Sequence, residues 1–402
     1  MDIIDIKQAA KRQTLGDITA QAERVASVIQ TVRHAMLAPT SKKEAPMVSA
    51  GELAELCGTT KPAIVYRANK GDLPEGTMVG NKRVWTMAEA RAWIQQLRAA
   101  HLRPQGALAV TITMANFKGG VSKTTTTVTL AQGLAMRGHR VLVVDLDPQG
   151  SATTLFGISP NLDVELDDTA ALLFDGTETS LNYAIRPSYW PGVDVVCAGP
   201  LLFNAEFQLP SRQMKEPGFE FWRVLDRGLD EARENYDVIL IDTAPMLSYV
   251  VINALLAADG VIIPMPPATM DFASSEHFWQ LFSDLCNQLV ANRGQEKVFE
   301  FVNVLLSRVE SDPSATSVVR GWIVEAFGEK VLPVEIPKTS ATTTASAEFG
   351  TIYDLSRGSI DSKTYNRAKT AYDGLCNVVE RQIEAVWATQ LEELQPGELN
   401  VA

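Results

Sequence analysis

The residues of this chain best placed to do chemistry cluster after an apolar, β-branched run. Leu108–Met114 reads as a buried strand, and it leads into Lys118, Gly119, Gly120, Val121, Ser122, Lys123, Thr124 and Thr125. Val128, Leu130, Ala131 and Leu134 then recur at helical spacing. Strand, glycine-rich turn, Lys-Thr and helix make the architecture of a phosphate-binding loop. Successive backbone N–H groups and a helix N-terminus surround the β- and γ-phosphates, Lys123 neutralises phosphate charge, and the Thr124 hydroxyl reaches Mg2+. The match to G-x-x-x-x-G-K-[ST] is imperfect, because Phe117 occupies the first glycine position and Ser122 the second. A serine there must either avoid a positive φ or adopt one at a cost.

Carboxylates follow two further strands. Arg140–Val144 precedes Asp145 and Asp147, and Tyr236–Ile241 ends on Asp242. Carboxylates at the carboxyl end of parallel strands point at the phosphate crevice. A hard oxygen ligand such as Asp242 suits Mg2+ held through water. The competing reading of Asp145 and Asp147 is a pair of acids in a solvated loop.

These stretches carry a family resemblance. KGGVSKTT (118–125) resembles the deviant Walker A box, KGGxGK[ST], of the ParA/MinD group of ATPases, with Ser122 departing from the usual glycine. DLDPQGSAT (145–153) resembles the switch box of ParA-type ATPases, and the DTAP of IDTAP resembles the family's D-[ST]-x-P turn. The motifs stand in the family's order, and the resemblance covers about three quarters of the chain, from Val110 onward. It implies ATP/ADP and Mg2+ as ligands, with residues 118–125 as the nucleotide loop. It also implies Lys118, Lys123 and Asp147 as catalytic residues and Thr124, Asp145 and Asp242 as the metal group. In this resemblance Lys118 is the signature lysine that reaches a partner's phosphates in an ATP-sandwich homodimer, Asp145 lies near Mg2+ and its waters, and Asp147 orients the attacking water. A ParB-like centromere-binding partner would stimulate weak hydrolysis, and the dimer would bind nucleoid DNA without sequence preference. Residues near Ser307-Arg308 approach the adenine in the family, and Pro266–Asp271 is similar to a stretch of the larger plasmid-partition proteins. Within the group, a MinD-like chain would end in a basic membrane helix, a nitrogenase-type iron protein would carry paired cysteines, and a bacterial tyrosine kinase would carry a transmembrane span. This sequence shows none of these.

The elements that position the motifs follow from apolar runs around Val110, Val141, Val195, Val238, Val261, Val302 and Val331, interleaved with helical stretches. The expected class is α/β: an open, mostly parallel, doubly wound sheet with helices on both faces. Three domains are expected, at 1–46 (helix and linker), 47–106 (a winged helix-turn-helix) and 107–402 (the ATPase).

Residues 4–37 read as one helix whose apolar stripe packs on a twin in a dimer or on its own domain. Ala38–Pro46 is a linker. Met47–Pro74 reads as helix, Cys57-Gly58 turn, helix, with Ser49 and Glu52 as a capping box. Met78–Trp85 is a hairpin about Gly80-Asn81, and Thr86 with Glu89 caps the next helix. The whole resembles a winged helix-turn-helix of the MerR-like kind, whose second helix enters a major groove. Lys61, Tyr66, Arg67 and Lys70 are its candidate DNA readers, and Lys82 and Arg83 its candidate phosphate contacts. The alternative is a small domain for protein contacts. Together with the ATPase motifs, this arrangement is similar to the large ParA proteins that also repress their own operon. The other functional class is a sequence-specific repressor whose DNA affinity is tuned by nucleotide.

Composition agrees with these expectations and narrows the classes. Residues 1–106 hold 15 Lys+Arg against 10 Asp+Glu, while the remainder holds 21 against 38. A basic front on an acidic body suits a nucleic-acid-facing N-terminal part, or is ordinary variation between domains. Cys57, Cys197, Cys286 and Cys376 form no CxxC pair, so reduced thiols are expected rather than a zinc site or disulfides. Neither a secretory signal nor an apolar membrane span is evident, and the expected location is cytoplasmic, associated with the nucleoid. Lys363, Arg367 and Lys369, with Arg357, make either a basic helix face for DNA or a solvated one.

Overall fold

The computed structural model describes residues 13–36, 43–310, 313–347, 349–355 and 361–394. The chain forms two compact units, Met1–Lys43 and Glu44–Ala402. In the first, α1 spans Leu15–Met36. Thr14 opens it by donating its backbone N–H and its hydroxyl to the Asp17 carboxylate at 2.8 and 2.7 Å. Leu15, Ile18, Val25 and Val28 are exposed along it. The expected start of this helix at Ile4 and its end at Leu37 lie outside the described residues, as do residues 38–42 of the linker.

The second unit opens with β1 (Val48–Ser49), α2 (Ala50–Leu56), α3 (Lys61–Lys70), β2 (Thr77–Val79), β3 (Lys82–Trp85) and α4 (Met87–Leu97). Ser49 with Glu52, and Thr86 with Glu89, form reciprocal capping boxes, so the first backbone donors of α2 and α4 find partners within their own helix ends. Thr60 caps α3. β2 and β3 pair antiparallel with Val79 opposite Lys82, and Gly80 takes the φ of 59° that this tight turn requires. Leu53, Ile64, Trp85, Trp93 and Ile94 are fully buried among these elements. The indoles of Trp85 and Trp93 both donate to the Pro74 carbonyl, at 2.8 and 2.9 Å.

The central sheet contains β4 (Val110–Met114), β5 (Val141–Leu146), β6 (Arg186–Pro187), β7 (Val193–Val196), β8 (Val238–Thr243), β9 (Gly260–Met265), β10 (Phe301–Val309) and β11 (Val331–Pro337). Their order is β11-β10-β9-β4-β8-β5-β7-β6. All seven expected strands are present and parallel to one another. The eighth, β6, pairs antiparallel with β7 and is two residues long, too short to leave a periodic signal. β5 and β8 are apolar on both faces up to their terminal carboxylates. Val141 and Val143 enter one core while Leu142 and Val144 enter the other, as a sheet covered on both sides demands.

α5 (Lys123–Ala135) runs from the glycine-rich loop back along the first of these cores. α4 docks on its far end. Arg91 donates to the carbonyls of Ala135 and His139, Gln95 to that of Gly138 and Arg98 to that of Arg137. The C-terminal carbonyls of a helix have no partner within it, so these three side chains at one-turn spacing cap α5 from outside. The core around Trp93 and Ile94 is continuous with that around Leu130 and Leu134.

Candidate functional site

The loop between β4 and α5 lies at the carboxyl edge of the sheet. Asn116 anchors its start: its Nδ2 donates to the Pro264 carbonyl at 2.9 Å, and its Oδ1 accepts from the Lys118 backbone N–H at 2.9 Å. Gly120 has a φ of 74°. Val121 is buried, and its carbonyl accepts from the Ser307 hydroxyl at 3.0 Å. Ser122 takes a φ of 75° immediately before α5, so it adopts the left-handed backbone rather than avoiding it. Its side chain makes no capping bond there, and left-handed backbone costs an L-residue about 1–2 kcal/mol. Lys123 is 6% exposed and curls over the loop, its Nζ donating to the Lys118 carbonyl at 3.1 Å. Burial lowers its pKa, opposed by the charges of Asp242 and Asp147. Thr124 and Thr125 follow in the first turn of α5.

Strand register brings the carboxylates together. Asp145 at the end of β5 lies opposite Asp242 at the end of β8, and Met114 of β4 lies opposite Asp242 on its other side. Asp145 is wholly buried. Its Oδ2 accepts from the backbone and hydroxyl of Thr153, at 2.9 and 2.8 Å, and its Oδ1 accepts from the Asp147 N–H at 3.1 Å. Burial pushes its carboxyl up to about 6, against the hydrogen bonds from Thr153. Asp242 is equally buried. Its Oδ1 accepts from Thr127 at 3.3 Å, Thr124 also donates to its carboxylate, and its Oδ2 has no partner. Burial first, and the neighbouring Asp145 charge second, push Asp242 up to about 8. Two carboxylates thus lie buried side by side, one with an unpartnered oxygen, an arrangement that a cation would neutralise.

Hard oxygen donors from Thr124, Asp145 and Asp242 fit Mg2+, which takes one or two carboxylates and completes its shell with waters and phosphates. Among the described residues no cluster of three or more His, Cys, Asp or Glu side chains offers an all-protein cage. Asp147 is 8% exposed at the lip, its Oδ1 accepting from the Gln149 N–H at 2.9 Å.

A cleft of about 530 Å³ opens beside the loop, lined in part by Lys118, Gly119, Asp271, Arg308, Glu310 and Lys338. Lys118 lies within it, its Nζ 3.0 Å from Asp271 Oδ1. Arg308, at a φ of 52°, donates to the Gly120 carbonyl at 2.6 Å. From the sequence, Ser307-Arg308 marks a strand end that by resemblance lies near the adenine, and Asn116, Thr153 and Asp271 have no assigned role. Asp271 and Thr153 left a signal, each standing in a stretch already set apart by resemblance, whereas Asn116 left none.

The six N-terminal candidates lie well away in sequence, on α3 and the β2–β3 hairpin. Lys61, Tyr66, Arg67, Lys70 and Lys82 are exposed. Lys70 Nζ sits 5.1 Å from the centroid of the Tyr66 ring, a cation–π pairing. Arg83 spends a donor on Asn69 at 2.9 Å, tying the hairpin to α3. At the C-terminus Lys369 pairs with Asp373 at 2.7 Å, which takes one charge from the basic face considered there, and Arg357 lies outside the described residues. Among the described residues no helix is long and apolar enough to cross a membrane.

Comparison with known proteins agrees with this geometry. Residues 109–292 match a family model described as an AAA domain. The chain is 30% identical over 296 residues to plasmid partition protein A of Escherichia coli, covering 69% of this chain and 72% of that protein. It is 29% identical over 364 residues to protein SopA of Escherichia coli strain K12, covering 87% of this chain and 92% of that one. A solved partition protein superposes with a TM-score of 0.66 at 22% identity, covering 93% of this chain and 99% of that one, a likeness of fold.

Proposed function

The chain belongs to the ParA family of partition ATPases, and from that premise we propose that it is a DNA-segregation ATPase whose ATP-bound form is a sandwich homodimer. The observation that carries the proposal is the convergence of Lys118, Lys123, Thr124, Asp145 and Asp242 at the carboxyl ends of β4, β5 and β8. The loop amides of residues 119–125 and Lys123 hold the phosphates of ATP or ADP. Thr124, Asp145 and Asp242 would hold Mg2+, which would supply charge neutralisation for the phosphates. Asp147, at the lip, accepts a hydrogen bond from the attacking water and orients it. Lys118 crosses to the partner subunit's nucleotide. Fixed positive charge where negative charge develops, in a site closed to water, is the main source of acceleration in phosphoryl transfer.

The rest of the cycle follows from the same reading. The exposed stripe Leu15, Ile18, Val25 and Val28 pairs α1 with its twin. The ATP dimer binds nucleoid DNA through phosphate contacts, without sequence preference. A ParB-like partner raises a slow turnover and releases the DNA. Residues 47–106 act as a winged helix-turn-helix on an operator, with Lys61, Tyr66, Arg67 and Lys70 in the groove and Lys82 on the backbone, so that the protein also represses its own operon.

A second reading, an operator-specific repressor tuned by nucleotide, has one observation in its favour. The helix that begins at the phosphate loop ends under Arg91, Gln95 and Arg98 of α4. ATP turnover by wild type and Lys118→Ala, with and without DNA and the partner protein, separates the two. Slow turnover that the partner raises in wild type but not in the variant supports the partition ATPase. Turnover indifferent to both the partner and Lys118 leaves the tuned repressor.

A further inference from the structure

Lys118 does not project from its own subunit. It forms an ion pair of 3.0 Å with Asp271, the two side chains being 37% and 15% exposed. Both ends of this pair are pinned to β9. The Lys118 backbone is held through Asn116 to Pro264 within that strand. Asp271 stands in the first turn of the helix Thr269–Leu289, six residues beyond the strand's end. An acid is favoured in a first helical turn by the helix dipole, so Asp271 is well seated whether or not Lys118 is beside it. The neighbouring cations of the cleft are also engaged within the chain. Lys338 pairs with Glu310 at 2.7 Å, and Arg308 donates to the Gly120 carbonyl.

We propose that Asp271 is the cis counter-ion of Lys118, a positioning residue that holds the lysine in its own subunit and competes with phosphate for it. The inference rests on the sandwich-dimer reading above. Closing the sandwich exchanges a carboxylate partner for a phosphate partner at each site, so the strength of the cis pair is subtracted from the affinity for ATP. ADP lacks the γ-phosphate and gains little from Lys118 in trans, so its affinity is nearly insensitive to the exchange. Asp271 therefore lowers the preference for ATP over ADP. A partly exposed pair of this kind weakens a competing equilibrium by about 1.4-fold to about 5-fold.

The test is isothermal titration calorimetry of the full chain with ATP and with ADP, both with Mg2+, reading the ratio of the two dissociation constants. Wild type, Asp271→Asn, Lys118→Ala and the double variant are compared. Asp271→Asn is expected to raise the preference for ATP by about 1.4-fold to about 5-fold, and to change nothing once Lys118 is alanine. Lys118→Ala alone is expected to bring the two affinities together. If Lys118→Ala does so but Asp271→Asn leaves the ratio unchanged or lowers it, the cis-pair proposal fails and the sandwich reading stands. If Lys118→Ala keeps the wild-type ratio, both fail. An equal effect of Asp271→Asn with and without Lys118 would also overturn the proposal, since the carboxylate would then act on something other than the lysine.

Discussion

Glu380 offers the most quantitative test of how the N-terminal elements are joined to the ATPase sheet. It projects from the C-terminal helix Ser362–Leu394 and is 6% exposed. Its carboxylate accepts from His139 Nε2 at 2.8 Å and from Arg98 Nη2 at 3.0 Å to both oxygens, with Arg137 Nε at 3.6 Å. Burial on its own would raise the pKa. The hydrogen bonds and charges of His139 and Arg98 more than reverse this, so the group falls from 4.5 to about 2. At about 1.4 kcal/mol per unit, the carboxylate stabilises the fold by about 3 kcal/mol near neutral pH.

The sign follows from the direction. A depressed acid contributes fully above its unfolded pKa and loses the contribution as pH falls toward its folded value, here between about 4.5 and about 2. Glu380→Gln keeps the shape and leaves the guanidinium groups of Arg98 and Arg137 without their counter-charge, a change that costs about 3–5 kcal/mol for buried pairs. Urea unfolding of wild type and Glu380→Gln should therefore differ by about 3 kcal/mol at pH 7, and by about 1 kcal/mol at pH 3. A gap that stays constant across this range, or one below about 1 kcal/mol at pH 7, would refute the reasoning.

Three further outcomes are expected. Ser122→Gly removes the cost of a left-handed serine and adds only the entropy of glycine, so urea unfolding should show a gain of about 0.5–1 kcal/mol, and a loss would mean that the hydroxyl has a partner worth more than the strain. Asp242→Asn should abolish the dependence of ATP affinity on Mg2+ and reduce turnover at least about 100-fold, measured by titration with and without EDTA; retained Mg2+ dependence would move the metal site elsewhere. Lys61→Ala and Lys70→Ala should each weaken binding to operator DNA and reduce its salt slope by about one, and unchanged slopes would remove α3 from the DNA interface.

What could be read from the sequence, and what could not, divides along a physical line. The long strands of the sheet are mostly apolar, β-branched runs between turn residues, because both of their faces are covered, and local composition is enough to mark them. The capping boxes at Ser49 and Thr86 are local too, closed within four residues. The placement of Asp145 and Asp242 at strand ends was legible because each follows an apolar run directly, and that of Lys123 at the start of α5 because it follows the glycine-rich turn. The supporting groups are different. Asn116 meets Pro264, and Lys118 meets Asp271, only because β4 and β9 lie side by side in the sheet. Arg91 sits on a helix where a lone arginine reads as a solvent-facing charge, yet it is buried against the end of α5, 44 residues on. Gly192 gives it room: a Cβ there would lie 2.1 Å from the guanidinium carbon. Such residues carry no periodic or motif signature, since what selects them is a partner far along the chain. They decide how the loop is held and what its first lysine rests against. On the proposal made above, relatives sharing KGGVSKTT would differ in ATP preference according to the residue that stands at position 271.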